Sequence, residues 1–183
     1  MKLLVPDQPL SLPGPSCGGP GGELRGWTCR DTSSLFDAWR DPEIVRYNPV
    51  PPDPSHAAAS RWIQGCSHRA ASGTSLDLVV TPARLDPLIE TKVVGEVGLS
   101  GFDEARRTAM IGYWLLPGAR GSGLATAAVQ TLVNWTVVWL GLRTIVAQCS
   151  PANRASQRVA SRAGFVHARD DSDGNQVWIC HPK

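Results

Sequence analysis

Between Ala105 and Arg169 the chain has no aspartate or glutamate, yet eight arginines fall there, at 106, 107, 120, 143, 154, 158, 162 and 169. That stretch carries +8 and the remainder about −6, so the net charge is only +2. A total so small gives no reason to expect nucleic acid or a membrane surface as partner. A basic half within it suits a compact polyanion, because clustered charge focuses the field. Apolar runs are short, and none reaches the roughly eighteen residues that span a bilayer. Leu3-Leu4-Val5 is too short for the core of a signal peptide and runs straight into Pro6. The five cysteines (17, 29, 66, 149, 180) are odd in number and lack metal-ligand spacing, and the four histidines (56, 68, 167, 181) are equally dispersed. This excludes a disulfide framework, predicts no metal site, and fits free, partly buried thiols in a reducing cytoplasm.

What is present is ordinary globular material. The chain has 183 residues, 42% hydrophobic and 19% charged, enough for one domain with a real core. Residues 6–22 hold five Pro and five Gly, so 1–22 reads as a flexible segment unable to bury a core, and 23–183 as the single domain. Thr32 or Asp31 can cap a helix over Ser33–Trp39. Asp41-Pro42-Glu43 restarts a helix, with Pro at its first position and acid against the dipole. Ser55 caps His56–Arg69, where Ala59, Trp62, Ile63 and Cys66 recur at helical spacing.

The period then changes to that of strands: Ser75–Thr81, Lys92–Ser100 after a loop over Pro82–Thr91, and Thr108–Leu116 after a turn at Gly101–Arg106. Leu124–Leu140 reads as a long helix, with Leu124, Ala128, Leu132, Trp135 and Trp139 on one stripe and Val129, Val133 and Val137 on a second. Thr144–Cys149 is a strand parallel to its predecessor, since a helix joins them. Asn153 caps a helix to Ala163, and Phe165–Ala168 with Val177–Cys180 makes a closing hairpin. The fold class is α/β (α+β), with a mixed sheet.

Arg120-Gly-Ser-Gly-Leu-Ala125 lies between the third strand and the long helix. Small residues there leave backbone N–H groups open at the positive end of a helix, a seat for phosphate oxygens. No Lys follows these glycines, which removes a P-loop, and no acid occurs before Asp170, which removes a dinucleotide fingerprint. A second piece follows about thirty residues on: Asn153-Arg-Ala-Ser156, closed by Arg162-Ala-Gly-Phe165.

Together these pieces resemble the GNAT acyl-coenzyme A N-acyltransferases, whose pyrophosphate turn reads Arg/Gln-x-x-Gly-x-Gly/Ala: here Arg120, Gly123, Ala125. Ser156 at Asn-x-x-Ser, with Leu24-Arg-Gly-Trp27, Asp41-Pro-Glu-Ile44, Arg46-Tyr-Asn48 and Ile111-Gly-Tyr-Trp114, is similar to the RimJ/RimL-like branch of ribosomal-protein N-terminal acetyltransferases. The resemblance covers about 23–180. It implies a mostly antiparallel sheet with one splayed parallel strand pair around a central helix. Acetyl-CoA would be the co-substrate, with no metal, held by Leu115, Leu116, Pro117, Arg120, Gly121, Ser122, Gly123, Leu124, Ala125, Thr126, Asn153, Ser156 and Arg158. Asn153 also reads as no more than a helix N-cap.

The resemblance implies direct attack by an amine, with a backbone N–H near Leu115 meeting the carbonyl oxygen. The Tyr that many members carry is Ala160 here, and the likeness to the RimJ/RimL-like branch implies Ser156 as the donor to sulfur, the other reading being a surface Ser in the first helical turn. The Glu that the branch often carries is Met110, so a base must come from elsewhere: Glu96 is the first candidate, then Asp103 and Glu104, each of which also reads as a surface carboxylate. Tyr113, Trp39, Tyr47 and Asn48 are acceptor-pocket residues, or core aromatics. The acceptor is a peptide N-terminus or a small amine such as a polyamine, antibiotic or amino acid. A non-catalytic coenzyme A-binding module is the other reading, and a homodimer is the family's habit.

Overall fold

The computed structural model describes residues 3, 5–14, 21–83 and 92–182. Eight strands form one sheet in the order β1-β2-β3-β4-β5-β6-β8-β7. They are β1 (Leu10–Leu12), β2 (Gly22–Gly26), β3 (Ser75–Pro82), β4 (Gly95–Asp103), β5 (Thr108–Leu115), β6 (Thr144–Cys149), β7 (Val166–Asp170) and β8 (Gln176–Cys180). Every neighbouring pair is antiparallel except β5 and β6. The helices are α1 (Thr32–Ala38), α2 (Pro42–Tyr47), α3 (His56–Gln64), α4 (Cys66–Ala71), α5 (Leu124–Leu140) and α6 (Arg154–Arg162).

The alternation of each strand feeds two cores. Leu76, Leu78, Val80, Val97, Leu99 and Ile111 pack with Leu124, Ala128, Val129, Leu132 and Val133 of α5 on one face. On the other, Leu35, Trp39, Ala59 and Ile63 of α1 and α3 gather Trp27, Trp62 and Trp114. Short polar contacts fix how these front helices sit. Arg25 grips Asp31 through two bonds of 2.7 and 2.8 Å, holding a 3-10 turn ahead of α1. Asp31 therefore serves this pair and Thr28 rather than capping α1 with its side chain, as the sequence suggested. Asp41 and Ser55 do cap, accepting from Ile44 N and Ala58 N.

Four expectations shift. Leu12 and Leu3 are buried and Leu10–Leu12 pairs with β2, so part of the Pro/Gly-rich start does join the core. Composition averaged over 6–22 hides this short alternating piece. The helix expected over His56–Arg69 is two, divided at Gly65, where Arg69 Nη1 joins Gly65 N on the Trp62 carbonyl. β4 runs on to Asp103 because Gly101, at φ +59, absorbs a bulge and lets Asp103 pair with Thr108. Of the loop expected over Pro82–Thr91, residues 84–91 lie outside the described residues. Burial along α5 stops at Thr136, and Trp139 is 59% exposed.

Candidate functional site

β5 and β6 pair only through Thr108–Met110 and Thr144–Val146. Beyond that point β5 continues along β4 as far as Leu115, and β6 along β8 as far as Cys149. The two parallel strands diverge, and a wedge opens between them. In the β4–β5 ladder, Gly112, Trp114 and Leu116 aim their backbone at β4, as the bond from Leu116 N to Val94 O shows. By alternation, the N–H and C=O of Tyr113 and Leu115 face the wedge. Leu115 O accepts from Arg120 Nε at 2.9 Å.

The turn follows at once: a 3-10 turn over Pro117–Ala119, then Gly121 at φ +78 and Gly123 at φ +86. Gly123 is the N-cap of α5, and its left-handed backbone carries no side chain over the first turn. Ser122 Oγ donates to Ala119 O, and the N–H groups of Ala125 and Thr126 are among those that a helix start leaves open. Arg120 also reaches Asp41 Oδ1 at 2.6 Å, tying this turn to α2. Burial by itself would raise the Asp41 carboxyl, but Arg120 and Ile44 N hold it below the usual range.

Three adjoining clefts meet at Tyr113 and Asn48, with volumes near 190, 430 and 270 Å³. The first runs along Leu115, Arg120, Gly121 and Ala125 to Asn153 and Ser156. The second lies in the wedge, between Gly112 and Tyr113 on one side and Ala147 to Ser150 on the other. Asn153 Oδ1 caps α6 by accepting from Ser156 N at 3.0 Å. Ser156 Oγ donates to Tyr113 Oη at 3.0 Å and lies 3.2 Å from Cys149 Sγ, while Tyr113 Oη donates to Ser156 O. Burial pushes the Tyr113 phenol well above its usual range, so it stays protonated.

The third cleft is of another kind. Trp39, Trp62 and Trp114 line it, above a floor of Asp77, Glu96, Gly98 and Gly112. Gly98 and Gly112 face each other across β4 and β5, and a Cβ at Gly112 would meet nothing within 4 Å. Glu96 accepts from Trp27 Nε1 at 2.9 Å. Burial first, and the neighbouring Asp77 second, push its carboxyl up to about 8.

The structure thus brings together Leu115, Arg120, Gly121, Ala125, Asn153, Ser156, Tyr113, Tyr47 and Asn48 along the first two of these adjoining clefts, with Trp39 and Glu96 in the third. Leu116, Pro117, Ser122, Gly123, Leu124 and Thr126 complete the turn beside it. Arg158 stands exposed on α6 and lines none of the three. Asp103 sits at the β4–β5 turn with both carboxylate oxygens bonded by Arg106, remote from the cleft, and Glu104 follows it there. Sequence reasoning passed over Cys149, Arg69 and Asp77. Their only signal was a lone acid within the apolar run Leu76–Val80. Among the described residues no three His, Cys, Asp or Glu gather as a metal site, and no helix is long and apolar enough to cross a membrane.

The family model described as an acetyltransferase (GNAT) domain matches residues 23–166. The chain is 28% identical over 142 residues to the uncharacterized N-acetyltransferase p20 of Bacillus licheniformis, across 78% of this chain and 77% of that one. It is 32% identical over 77 residues to the ribosomal-protein-serine acetyltransferase of Escherichia coli (strain K12), across 42% of this chain and 43% of that one. Mycobacterium smegmatis RimJ, solved in complex with CoA-disulfide, shares the fold at TM-score 0.79 and 21% identity, covering 96% of this chain and 88% of RimJ.

Proposed function

Because the chain belongs to the GNAT acetyltransferase family, we propose that it moves an acetyl group from acetyl-CoA to a primary amine by direct attack within one ternary complex. The observation that carries this reading is the wedge: the β5–β6 ladder ends at Met110 and Val146, leaving a strand edge that no further strand pairs beside a glycine-capped helix start. That combination fits a long polar arm ending in phosphates. An arm can pair with strand backbone as a further strand would, and phosphates sit on open N–H groups at a helix N-terminus.

Acetyl-CoA, when bound, supplies the activated thioester, and every other part is the protein's. Gly121, Gly123, Ala125 and Thr126 offer backbone to the pyrophosphate, with Arg120 alongside. Tyr113 and Leu115 hold the arm from β5, and Asn153 from α6. The Leu115 N–H faces the wedge and can receive a carbonyl oxygen. Ser156 donates a proton toward sulfur and regains one from solvent, while the Tyr113 phenol, which accepts from the Ser156 hydroxyl and donates to the Ser156 carbonyl, fixes where that hydroxyl stands. Glu96 is the base that strips the incoming ammonium. A carboxyl near 8 is well matched to an amine at neutral pH, where a base of ordinary acidity would hold a proton poorly. Tyr47, Asn48 and Trp39 shape the acceptor side.

The test is calorimetric titration with acetyl-CoA, followed by free-thiol release against peptides beginning with Ser or Ala, polyamines and aminoglycosides. Binding with thiol release that depends on an amine is expected. Binding without release from any amine would leave a coenzyme A-binding module, and absence of binding would remove the reading altogether.

A further inference from the structure

Arg69, at the end of α4, has no part in the roles above, yet it lies beneath the acceptor cleft with every guanidinium nitrogen engaged. Nε and Nη2 donate to Asp77 Oδ2 at 3.1 and 3.0 Å. Nη1 donates to Trp62 O at 3.0 Å and Nη2 to Cys66 Sγ at 3.0 Å. The guanidinium also lies 4.2 Å from the centre of the Trp62 ring, so one side chain both neutralises Asp77 and braces an indole wall. Ser75 Oγ adds a third donor to the same carboxylate oxygen, at 2.8 Å. The pair is sheltered, with side-chain exposures of 24% for Arg69 and 11% for Asp77.

Asp77 and Glu96 share a face of the sheet, because Val79 pairs with Glu96 and Asp77 with Gly98. Among the described residues they are the only charged ones lining the third cleft. Resting on the acyltransferase reading of the site, we propose that Arg69 sets the charge an acceptor can carry: it cancels Asp77, leaves Glu96 as the single acid open to an amine, and so selects a monoamine with an uncharged body over a polycation. An uncharged group packs on the indole walls at no cost in charge, whereas a second ammonium there would lose its water and meet no free carboxylate, a loss that the indole faces offset only in part. Selectivity is then a difference between two affinities, enforced as much by what the cleft withholds as by what it offers.

The experiment measures kcat/KM for two acceptors with saturating acetyl-CoA: an amidated tetrapeptide starting with Ser and otherwise uncharged, and spermidine. Wild-type protein, Arg69→Gln, Asp77→Asn and the double variant are compared. The wild type should favour the peptide. Arg69→Gln uncovers a carboxylate and should raise the spermidine-to-peptide ratio about tenfold, the size expected for one half-buried charge at close range. Asp77→Asn leaves a bare guanidinium and should lower the ratio. The double variant removes both charges and should return it to within about twofold of wild type, a rescue that loss of structure cannot imitate. A wild-type preference for spermidine, or a ratio unmoved in both single variants, overturns the proposal. Should Arg69→Gln fail to fold, the wild-type ratio and Asp77→Asn still decide. Acetyl-CoA binding without thiol release from either amine would instead overturn the acyltransferase reading, and this inference with it.

Discussion

Tyr113 and Leu115 turn their backbone toward the gap with β6, while Trp114, between them, turns its side chain onto the face that holds Glu96. One strand therefore serves two different constructions. Toward α5 the cleft is made of backbone: an unpaired edge, two left-handed glycines and a helix start. Toward α1–α4 it is made of side chains, three indoles and two carboxylates drawn from β3, β4, β5, α1–α2 and α3. A backbone site tolerates few residue types at fixed spacing, so it writes a motif. A side-chain site can be assembled from many combinations at any separation, so it writes none.

The sharpest way to separate the halves is Glu96→Gln. The amine base should be lost while the cofactor turn stays intact. Turnover should fall by about 10²–10⁴-fold, with acetyl-CoA affinity by calorimetry unchanged. In the wild type, kcat/KM should rise with pH and level off above about 8, and the variant should lose that rise. Stability moves the opposite way. The folded carboxyl lies above its ordinary value near 4.5, so its contribution is complete below that pH and is lost as pH rises toward about 8. Chemical denaturation at pH 5 and pH 9 should show this loss in wild type and not in Glu96→Gln. An unchanged turnover would take Glu96 out of the chemistry.

Gly123→Val attacks the other half. A β-branched residue at φ +86 is strained by about 1–2 kcal/mol and its side chain covers the open N–H groups. Acetyl-CoA should bind at least about tenfold more weakly, while the Trp27–Glu96 contact, read by tryptophan fluorescence, should not move. Equal affinity would mean that the turn is not the phosphate seat.

Ser156→Ala tests the seam between the halves. It removes a donor bonded to Tyr113 at 3.0 Å and should lower turnover about tenfold, the worth of one net hydrogen bond. Tyr113→Phe should lower it in parallel, and cofactor affinity should hold in both. A loss of affinity equal to the loss of turnover would make this network a binding element only.

The same contrast explains how much could be read from residues alone. α5 begins and ends where expected, because Gly123 and Gly141 both take left-handed φ and punctuate it. The parallel pairing of β6 follows from the helix before it, and the strand divergence from the family likeness. The exposure of Trp139 was not legible, since a helical period marks a stripe as apolar and not which of its positions finds a partner in the sheet. Burial of Leu12 was hidden by its proline-rich neighbours. Arg69 and Asp77 were missed because an ion pair eight residues apart across a helix–strand turn has no spacing rule. Glu96 could be named from its strand, but its indole partner Trp27 is 69 residues away.

The smallest effect is expected from Asp41→Asn, and its smallness is what makes it informative. Asp41 Oδ1 accepts both from Ile44 N, capping α2, and from Arg120 Nη2, which bridges the backbone half to the front helices. Asparagine caps nearly as well as aspartate, so the helix start survives while the charge is removed. The pair is part-exposed, 37% on the arginine side, and such pairs contribute about 0–1 kcal/mol. Arg120 keeps its bond to Leu115 O, which needs no acid. Stability should therefore drop by no more than about 1 kcal/mol, and acetyl-CoA affinity should change less than about threefold. If the affinity instead moved tenfold or more, the turn would depend on how a side chain is tethered. The division into a backbone-built half and a side-chain-built half would then fail at Arg120, which bonds to Leu115 O on one side and to Asp41 on the other.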